Sequence, residues 1–381
     1  MDHHQYDIAI IGLGCAGSQI LLAMLENSDF KNKKIIVFDD FQNDSLDKTW
    51  SFWEKGTGKW DHLVDYTWKL GNFKTNQISV DFEMDPYSYK RLESRDVIAF
   101  AKAELLKNTN CTFIDNKVVQ VIEKGSTATL VTEKEKFSSK LVLDSRVPKA
   151  FYQDKKSIKL HQHFIGWVIQ TEKEVFDPLR FTMMDYQLKD PGTTSFTYIL
   201  PFSTSKALVE FTYFSPNLVA DNVYEHYLKT YIKDYLGIDN FEIVATERGN
   251  IPMTTYRFEQ HNSKLVQKIG TAGGWVKPST GYSFKRTEKK VAQLLQNYLA
   301  GKPLDYKIVS EKFRFYDDIM LDVLNKHNDR GHLLFQNLYK NNPITRIFSF
   351  LDEETSLIQE LRIMLPLTSM PFIKGFFKKL F

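Results

Sequence analysis

Cysteine is nearly absent from this chain: Cys15 and Cys111 are the only two in 381 residues. They stand far apart and in no metal-ligand spacing, which excludes a disulfide framework and a cysteine-based zinc site and makes a reducing cytoplasm the natural compartment. Charge of one sign is also lacking. Lys and Arg number 50 against 47 Asp and Glu, for a formal net charge of +3, without the basic stripe or arm that a nucleic-acid-binding chain carries. No apolar run reaches the roughly 20 residues that a membrane-spanning helix needs. Aromatic residues, by contrast, are plentiful, with 29 Phe, 18 Tyr and 6 Trp. They suit large cores or the handling of a large apolar substrate.

The stretch Tyr6 to Asp40 organises the rest. Ile8 to Ile11 is a short apolar run fit for a buried parallel strand, and Gly12, Gly14 and Gly17 follow it as GxGxxG. In that pattern the first glycine permits the tight turn, the second lets backbone approach a pyrophosphate, and the third lets the helix pack close to the strand. The spacing predicts a helix with Ile20, Leu21, Met24 and Leu25 on one face, then a second buried strand, Ile35 to Phe38, ending at Asp39, where an acid would hold a ribose hydroxyl. The pattern predicts a nucleotide-binding βαβ unit, with a glycine turn in some other α/β sheet as the alternative, and does not by itself choose NAD or FAD. It starts within the first dozen residues, which leaves no room for a signal peptide.

Asp47-Lys-Thr-Trp-Ser-Phe-Trp-Glu reads as an aromatic-rich loop that, with Trp60, Tyr66 and Trp68, either lines a pocket beside the cofactor or forms a small core of its own. Ser94 is placed to cap a helix over Val97, Ile98, Ala101 and Leu105. Cys111 to Ile114 and Lys140 to Asp144 read as strands, the second ending in an acid that would bring the sheet back to the cofactor. From Gln162 the pattern changes to period two. Phe164 to Gln170, Arg180 to Asp185, Ser195 to Leu200 and Lys206 to Phe214 read as antiparallel strands, with Phe202-Ser-Thr-Ser as a hairpin turn. Asp221 then caps a helix that Gly237 stops.

Ile269-Gly-Thr-Ala-Gly-Gly-Trp-Val-Lys-Pro-Ser-Thr-Gly-Tyr-Ser-Phe is a second glycine-rich loop ahead of a helix starting near Phe284. A late loop of this kind favours FAD, whose flavin lies along it, and makes Gly273, Gly274, Pro278, Thr280 and Gly281 candidate cofactor residues beside Gly12, Gly14, Gly17, Asp39 and Asp144. A purely structural loop is the alternative. At the end of the chain, Phe372, Ile373, Phe376, Phe377, Leu380 and Phe381 share one helical face and Lys374, Lys378 and Lys379 the other. Such a cationic amphipathic helix either lies in a membrane interface or docks on the core.

Taken together, several stretches resemble the lycopene cyclase family, the flavoprotein carotenoid cyclases of bacteria and plants. They are Tyr6 to Gly17, Asp47-Lys-Thr-Trp-Ser-Phe, Leu200-Pro-Phe-Ser with Leu208-Val-Glu-Phe-Thr-Tyr, Glu247-Arg-Gly-Asn-Ile-Pro-Met and Ala272-Gly-Gly-Trp-Val-Lys-Pro-Ser-Thr-Gly-Tyr-Ser, in the family's order over most of the first 290 residues. General flavin hydroxylases have an acid where Gly273 stands; lycopene cyclases, like this chain, do not. Phe350-Leu-Asp-Glu-Glu-Thr-Ser looks like the plant-type glutamate motif but lies far beyond the strand position, so the resemblance gives that role to Glu210.

The resemblance implies an α/β, Rossmann-like FAD-binding fold of the flavin hydroxylase kind. The FAD domain would comprise residues 1–150 and 265–300, an antiparallel-sheet substrate domain residues 151–264, and a helical region with an amphipathic tail residues 301–381, with 47–94 contributing to the pocket. It implies a redox-neutral cyclisation of the end groups of lycopene to γ- and β-carotene by reduced FAD, with NAD(P)H only as reductant. Glu210 would be the catalytic acid, kept protonated by apolar strand neighbours, unless the strand turns it to solvent. A carotene is confined to the bilayer, so the enzyme would sit peripherally on the cytoplasmic face of the membrane. A flavin monooxygenase or isoprenoid reductase of the same architecture is the alternative enzyme, and a carotenoid-binding protein without flavin the alternative of another class.

Overall fold

The computed structural model describes residues 5–40 and 48–367. In chain order its elements are β1 (Gln5–Ile11), α1 (Cys15–Leu25), β2 (Ile35–Asp39), β3 (Thr49–Lys55), β4 (Val64–Trp68), β5 (Leu70–Lys74), β6 (Ser79–Glu83), β7 (Tyr87–Glu93), α2 (Ser94–Leu106), β8 (Cys111–Asp115), β9 (Val118–Lys124), β10 (Thr127–Thr132), β11 (Lys136–Asp144) and α3 (Lys149–Gln153). They continue with β12 (Lys159–Gln170), β13 (Arg180–Asp185), β14 (Thr194–Pro201), β15 (Lys206–Ser215), α4 (Asp221–Thr230), β16 (Glu242–Thr254), β17 (Val266–Lys268), α5 (Phe284–Leu299), α6 (Glu311–Lys326), α7 (Gly331–Asn341), α8 (Ile344–Leu351) and α9 (Leu357–Met364).

The first sheet runs β8-β2-β1-β11-β10-β9, with β17 on β11. Its central strands are parallel, and Ile8 faces Ile35 on one side and Leu141 on the other. Because side chains alternate along a strand, Ile8, Ile10, Ile35, Val37, Leu141 and Leu143 point into one core with α1, α2 and α5, while Ala9, Ile11, Ile36, Phe38 and Val142 point into another with Leu130 and Phe137. The Rossmann-like α/β class expected from the sequence is the observed one, and the described C-terminal region is helical as expected.

The second sheet runs β16-β12-β15-β14-β13-β5-β6. The strands expected from period-two alternation are present, and the Phe202 turn closes β14 onto β15 through the Phe202 N–H to the Lys206 carbonyl at 2.7 Å. Three findings differ from the sequence reading. The sheet draws β5 and β6 from before residue 84, with β5 parallel to β13. It also gains the thirteen-residue β16, which the sequence reading passed over. Finally, the supposed aromatic loop is a third sheet, β3-β7-β4, in which Trp53 pairs across from Tyr89; aromatic pairs of this kind stabilise a ladder.

Two expected caps are not caps. α2 has Glu93 at its N-cap position, and the hydroxyl of Ser94 instead accepts the Lys48 N–H at 3.2 Å. Asp221 is the first residue of α4, after Ala220, and binds Arg248 at 2.6 Å. The left-handed Gly237 does end that helix, after a π segment from Tyr231 to Tyr235.

α4 covers one face of the second sheet, where Val209, Phe211 and Tyr213 meet Tyr224, Leu228, Tyr231 and Ile232. The other face carries Leu208, Glu210, Thr212 and Phe214 and looks into a cavity roofed by residues of α6, α7, α8 and α9. Among the described residues, no helix is long and apolar enough to cross a membrane. The amphipathic stretch Phe372 to Phe381 lies outside the described residues, as does Asp47.

Candidate active site

The cavity, of about 220 Å³, lies between the second and third sheets and the C-terminal helices. Trp50, Trp53, Tyr89, Phe164, Phe196 and Tyr282 are among the aromatic residues lining it. The residues from 49 to 68 therefore do both things that the sequence allowed. Trp50 and Trp53 line the cavity, while Phe52 and Trp60 pack on Phe284 at the start of α5, with ring centroids 4.9 and 5.3 Å away.

One row of residues crosses four strands of the second sheet at this cavity. Tyr198 of β14 pairs with Glu210 of β15, Glu210 with Gly166 of β12, and Gly166 with Glu247 of β16. Directly paired residues point to the same face, so the two carboxyl side chains project the same way on either side of a residue that has none. A Cβ on Gly166 would lie 3.2 Å from Glu210 Cβ, 3.2 Å from Glu247 Cγ and 2.8 Å from Leu208 Cδ1. The missing side chain is what lets the carboxyl groups meet.

Glu210 is 6% exposed and accepts the Thr212 hydroxyl at 2.5 Å. Burial, followed by the charge of Glu247, pushes its pKa well above the ordinary carboxylate range. Burial also raises Glu247, but its hydrogen bond with Glu210, the charge of Arg91 and the Thr49 hydroxyl at 3.2 Å all favour its ionised form. Burial thus raises both carboxyls, and the hydrogen bond between them favours a proton held by the pair. Two carboxyl groups brought this close and away from bulk water favour sharing one proton. The sequence reading found Glu210 but gave Glu247 no chemical role. The available signal was a second glutamate in a family-like segment, masked by the missed strand.

Beside the pair, Tyr89 hydrogen-bonds both Tyr198 and Tyr282, at 2.9 and 2.8 Å. Burial pushes all three phenols well above their usual values, so they stay neutral.

The other candidate residues form a cradle at the end of the first sheet. Gly12 has φ +90° and its N–H donates to the Phe38 carbonyl at 2.8 Å. A Cβ on Gly17 would sit 1.9 Å from the Gly12 carbonyl oxygen, whereas one on Gly14 would meet nothing within 4 Å among the described residues. Gly14 precedes α1, whose first turn carries no acidic residue and whose N-cap makes no side-chain bond. An open, uncapped helix N-terminus fits a pyrophosphate. Asp39 buttresses the turn, accepting the Leu13 N–H at 2.5 Å.

Asp144, a cofactor candidate in the sequence, ends β11 beside two cations. Its carboxylate is buried and taken up by Arg146 at 2.8 Å and Lys268 at 2.9 Å, which outweigh burial and hold its pKa below the usual range. In the late loop a Cβ on Gly273 would lie 2.5 Å from the Lys268 carbonyl, and Gly274 and Gly281 have φ +68° and +75°. Gly273, Gly274 and Pro278 line a smaller pocket with Arg286 and Arg314. Thr280 lines the large cavity, and its hydroxyl is buried with no hydrogen-bond partner among the described residues. A buried orphan of this kind points to a missing partner, so cradle and loop fit a dinucleotide running from α1 toward Thr280. Lys277 and Ser279 fix the loop to Asp317 at 2.9 and 2.6 Å. Glu353, from the segment set aside in the sequence, binds Lys277 at 3.4 Å and also pairs with Arg286.

This architecture is shared with flavoproteins of known structure. The chain is similar to a geranylgeranyl bacteriochlorophyll reductase-like protein of Thermoplasma acidophilum, with 12% identity over 99% of both chains and a TM-score of 0.62. It is similar to a flavoprotein/dehydrogenase of Cytophaga hutchinsonii, with 12% identity over 99% of both chains and a TM-score of 0.66. A p-nitrophenol 4-monooxygenase of Pseudomonas putida matches at 11% identity over 97% of this chain and 98% of its own, with a TM-score of 0.58. These likenesses define the fold. A search of curated protein sequences found no match. The family model described as lycopene cyclase protein matches residues 7–375, and the chain therefore belongs to the lycopene cyclase family, enzymes of the carotenoid-cyclase class.

Proposed function

We propose that the chain is a lycopene β-cyclase, closing the acyclic ends of lycopene to γ- and β-carotene without net redox change. The observation that carries this reading is Glu210: a buried carboxyl, its pKa pushed well above the ordinary range by burial, in an aromatic cavity of a lycopene cyclase family member. Its O–H proton adds to the terminal double bond, the neighbouring double bond closes the six-membered ring on the resulting cation, and a ring proton leaves to form the new double bond. Protonating an unactivated alkene needs an acid that water does not level, and desolvation provides one. Trp53, Tyr89, Tyr198 and Tyr282 give the cation electron-rich faces, each contributing about 0.5 to 2 kcal/mol. FAD, held by Gly12, Gly14, Gly17 and the loop from Gly273 to Gly281 and reduced by NAD(P)H, would add an electron-rich surface beside the cavity.

The test is to express the chain in a lycopene-accumulating bacterium and separate the pigments by chromatography. Monocyclic and bicyclic β-ring products are expected. Unchanged lycopene beside a folded, yellow protein would overturn the reading in favour of a flavin monooxygenase or isoprenoid reductase, which would consume NAD(P)H stoichiometrically.

The membrane also belongs to this proposal, with the enzyme peripheral on its cytoplasmic face. On α9, Leu357, Ile358 and Leu361 are exposed on one face, while Ile363 and Met364 of the same helix line the cavity. An apolar face beside the cavity suits uptake of a substrate dissolved in lipid. Deleting Phe372 to Phe381 is expected to move the protein from the membrane to the soluble fraction. Unchanged sedimentation with anionic liposomes would remove the tail from the account.

A further inference from the structure

We propose that Glu247 is a second catalytic carboxyl: it takes the proton that the closing ring releases and returns it to Glu210 across the gap at Gly166. This rests on the cyclase reading and adds the half of the proton cycle that Glu210 alone leaves open. Each turnover removes one proton from Glu210 and frees one from a different carbon. A single carboxylate would have to serve both carbons, and on regaining its own proton from the first it would only reverse the step. Glu247 lines the same cavity two strands away from Glu210, so the two backbones are about 10 Å apart. Their carboxyl groups nevertheless meet, because Gly166 between them has no side chain.

The cycle balances without any further reactant. The Glu210 O–H bond breaks as a C–H bond forms on the terminal double bond, and the ring closes on the cation. A ring C–H then breaks, its electron pair becoming the new double bond and its proton bonding to a Glu247 carboxylate oxygen. That proton passes through the shared hydrogen bond to Glu210, restoring the resting pair. While the cation exists both carboxylates are ionised, and two negative charges in a site of low dielectric stabilise it. The same repulsion between carboxylates drives uptake of the released proton.

The surroundings suit a resting pair with the charge on Glu247. Facing it are Thr49 of β3, with its hydroxyl at 3.2 Å, and Arg91 and Glu93 of β7. Arg91 is also paired with Asp65. Facing Glu210 are Thr212, Tyr198 and Tyr282, which are neutral. Among the described residues facing the pair, the cation Arg91 therefore stands on the side of Glu247.

The experiment measures conversion of liposome-borne lycopene by the purified, flavin-loaded enzyme across pH, for wild type, Glu247→Gln, Glu247→Asp and Gly166→Ala. Wild type should give a bell, its alkaline limb set by deprotonation of Glu210 and its acid limb by protonation of Glu247. Glu247→Gln should lower the rate by about 100-fold or more, lose the acid limb and move the alkaline limb to lower pH, since Glu210 no longer faces a like charge. Glu247→Asp should recover at least about tenfold of that loss and restore the acid limb. Gly166→Ala keeps both carboxyl groups but wedges them apart, and should lower the rate with flavin still bound. Its result decides the matter if Glu247→Gln does not fold. A Glu247→Gln enzyme within threefold of wild type with an unchanged bell would overturn the proposal, as would a Gly166→Ala enzyme with wild-type rate and bell. A wild-type chain that leaves lycopene untouched overturns the cyclase reading itself, which an active wild type beside an active Glu247→Gln does not.

Discussion

Glu210→Gln is expected to lose cyclisation by about 10³-fold or more, at the upper part of the range for removing a general acid, while remaining folded and yellow. The substitution keeps the shape and hydrogen-bonding capacity of the side chain: the amide can donate to Glu247 as the protonated carboxyl does, and accept from Thr212. The sign of the stability change follows from linkage. A carboxyl whose pKa is raised on folding binds more protons folded than unfolded. The fold therefore loses stability as pH rises above the ordinary value, 4.5 for this group, toward the raised one. Gln carries no such penalty, so at neutral pH the variant should be as stable as wild type or more so. The same shift fixes the pH dependence of wild-type activity, which should hold at neutral pH and fall as the medium becomes alkaline enough to ionise Glu210. Pigment chromatography and the absorbance of bound flavin check both parts. A Glu210→Gln enzyme that still makes β-rings would remove the acid from the mechanism. An inactive variant that has also lost its flavin would assign Glu210 a structural role.

The features legible in the sequence are those set by local pattern. Gly12, Gly14 and Gly17 announce their turn because each glycine answers a backbone requirement within one strand, turn and helix, and the buried runs of β1 and β2 need only apolar periodicity. Glu210 was legible through the family resemblance of Leu208-Val-Glu-Phe-Thr-Tyr, and its strand turns one face toward α4 and the other, with Glu210, toward the cavity. β16 escaped because it is an edge strand, largely exposed and interrupted by Gly249 and Pro252. Its strand character comes from the ladder with β12, a long-range pairing that no local pattern encodes, and Glu247 was hidden with it. Gly166 was invisible for a related reason, since the significance of a missing side chain lies in what stands on the two neighbouring strands. Asp144 shows the converse. An acid at a strand end reads as a cofactor candidate, and its ion pair with Lys268, 124 residues later in the chain, is visible only in the fold.

Gly17→Ala should damage the fold of the cofactor cradle, and Gly14→Ala, three residues away, should leave the fold standing. Both add one methyl group. At Gly17 it would lie 1.9 Å from the carbonyl oxygen of Gly12 and 3.0 Å from its carbon. That backbone has little freedom to yield: the Gly12 N–H is held by Phe38, the Leu13 N–H by Asp39, and the Ile11 carbonyl by the Ser145 N–H at 3.1 Å. Relief requires α1 to move off the sheet, loosening Ile20, Leu21 and Met24 from the core they share with Ile8 and Ile10. A cost of about 3 kcal/mol is expected, the upper end for forced overpacking. At Gly14 the new methyl group meets no atom of the described residues within 4 Å, and φ is −70°, so the cost should not exceed the roughly 1 kcal/mol of a poorer N-cap residue. The methyl group would instead occupy the space where a pyrophosphate approaches the α1 amides. Chemical unfolding of the apoprotein and flavin retained through gel filtration separate the two effects. Gly17→Ala should unfold early, and Gly14→Ala should unfold like wild type but elute without its yellow colour. A Gly17→Ala protein as stable as wild type would refute the close approach of helix and strand. A Gly14→Ala protein that keeps its flavin would show that the dinucleotide lies elsewhere than over the first turn of α1.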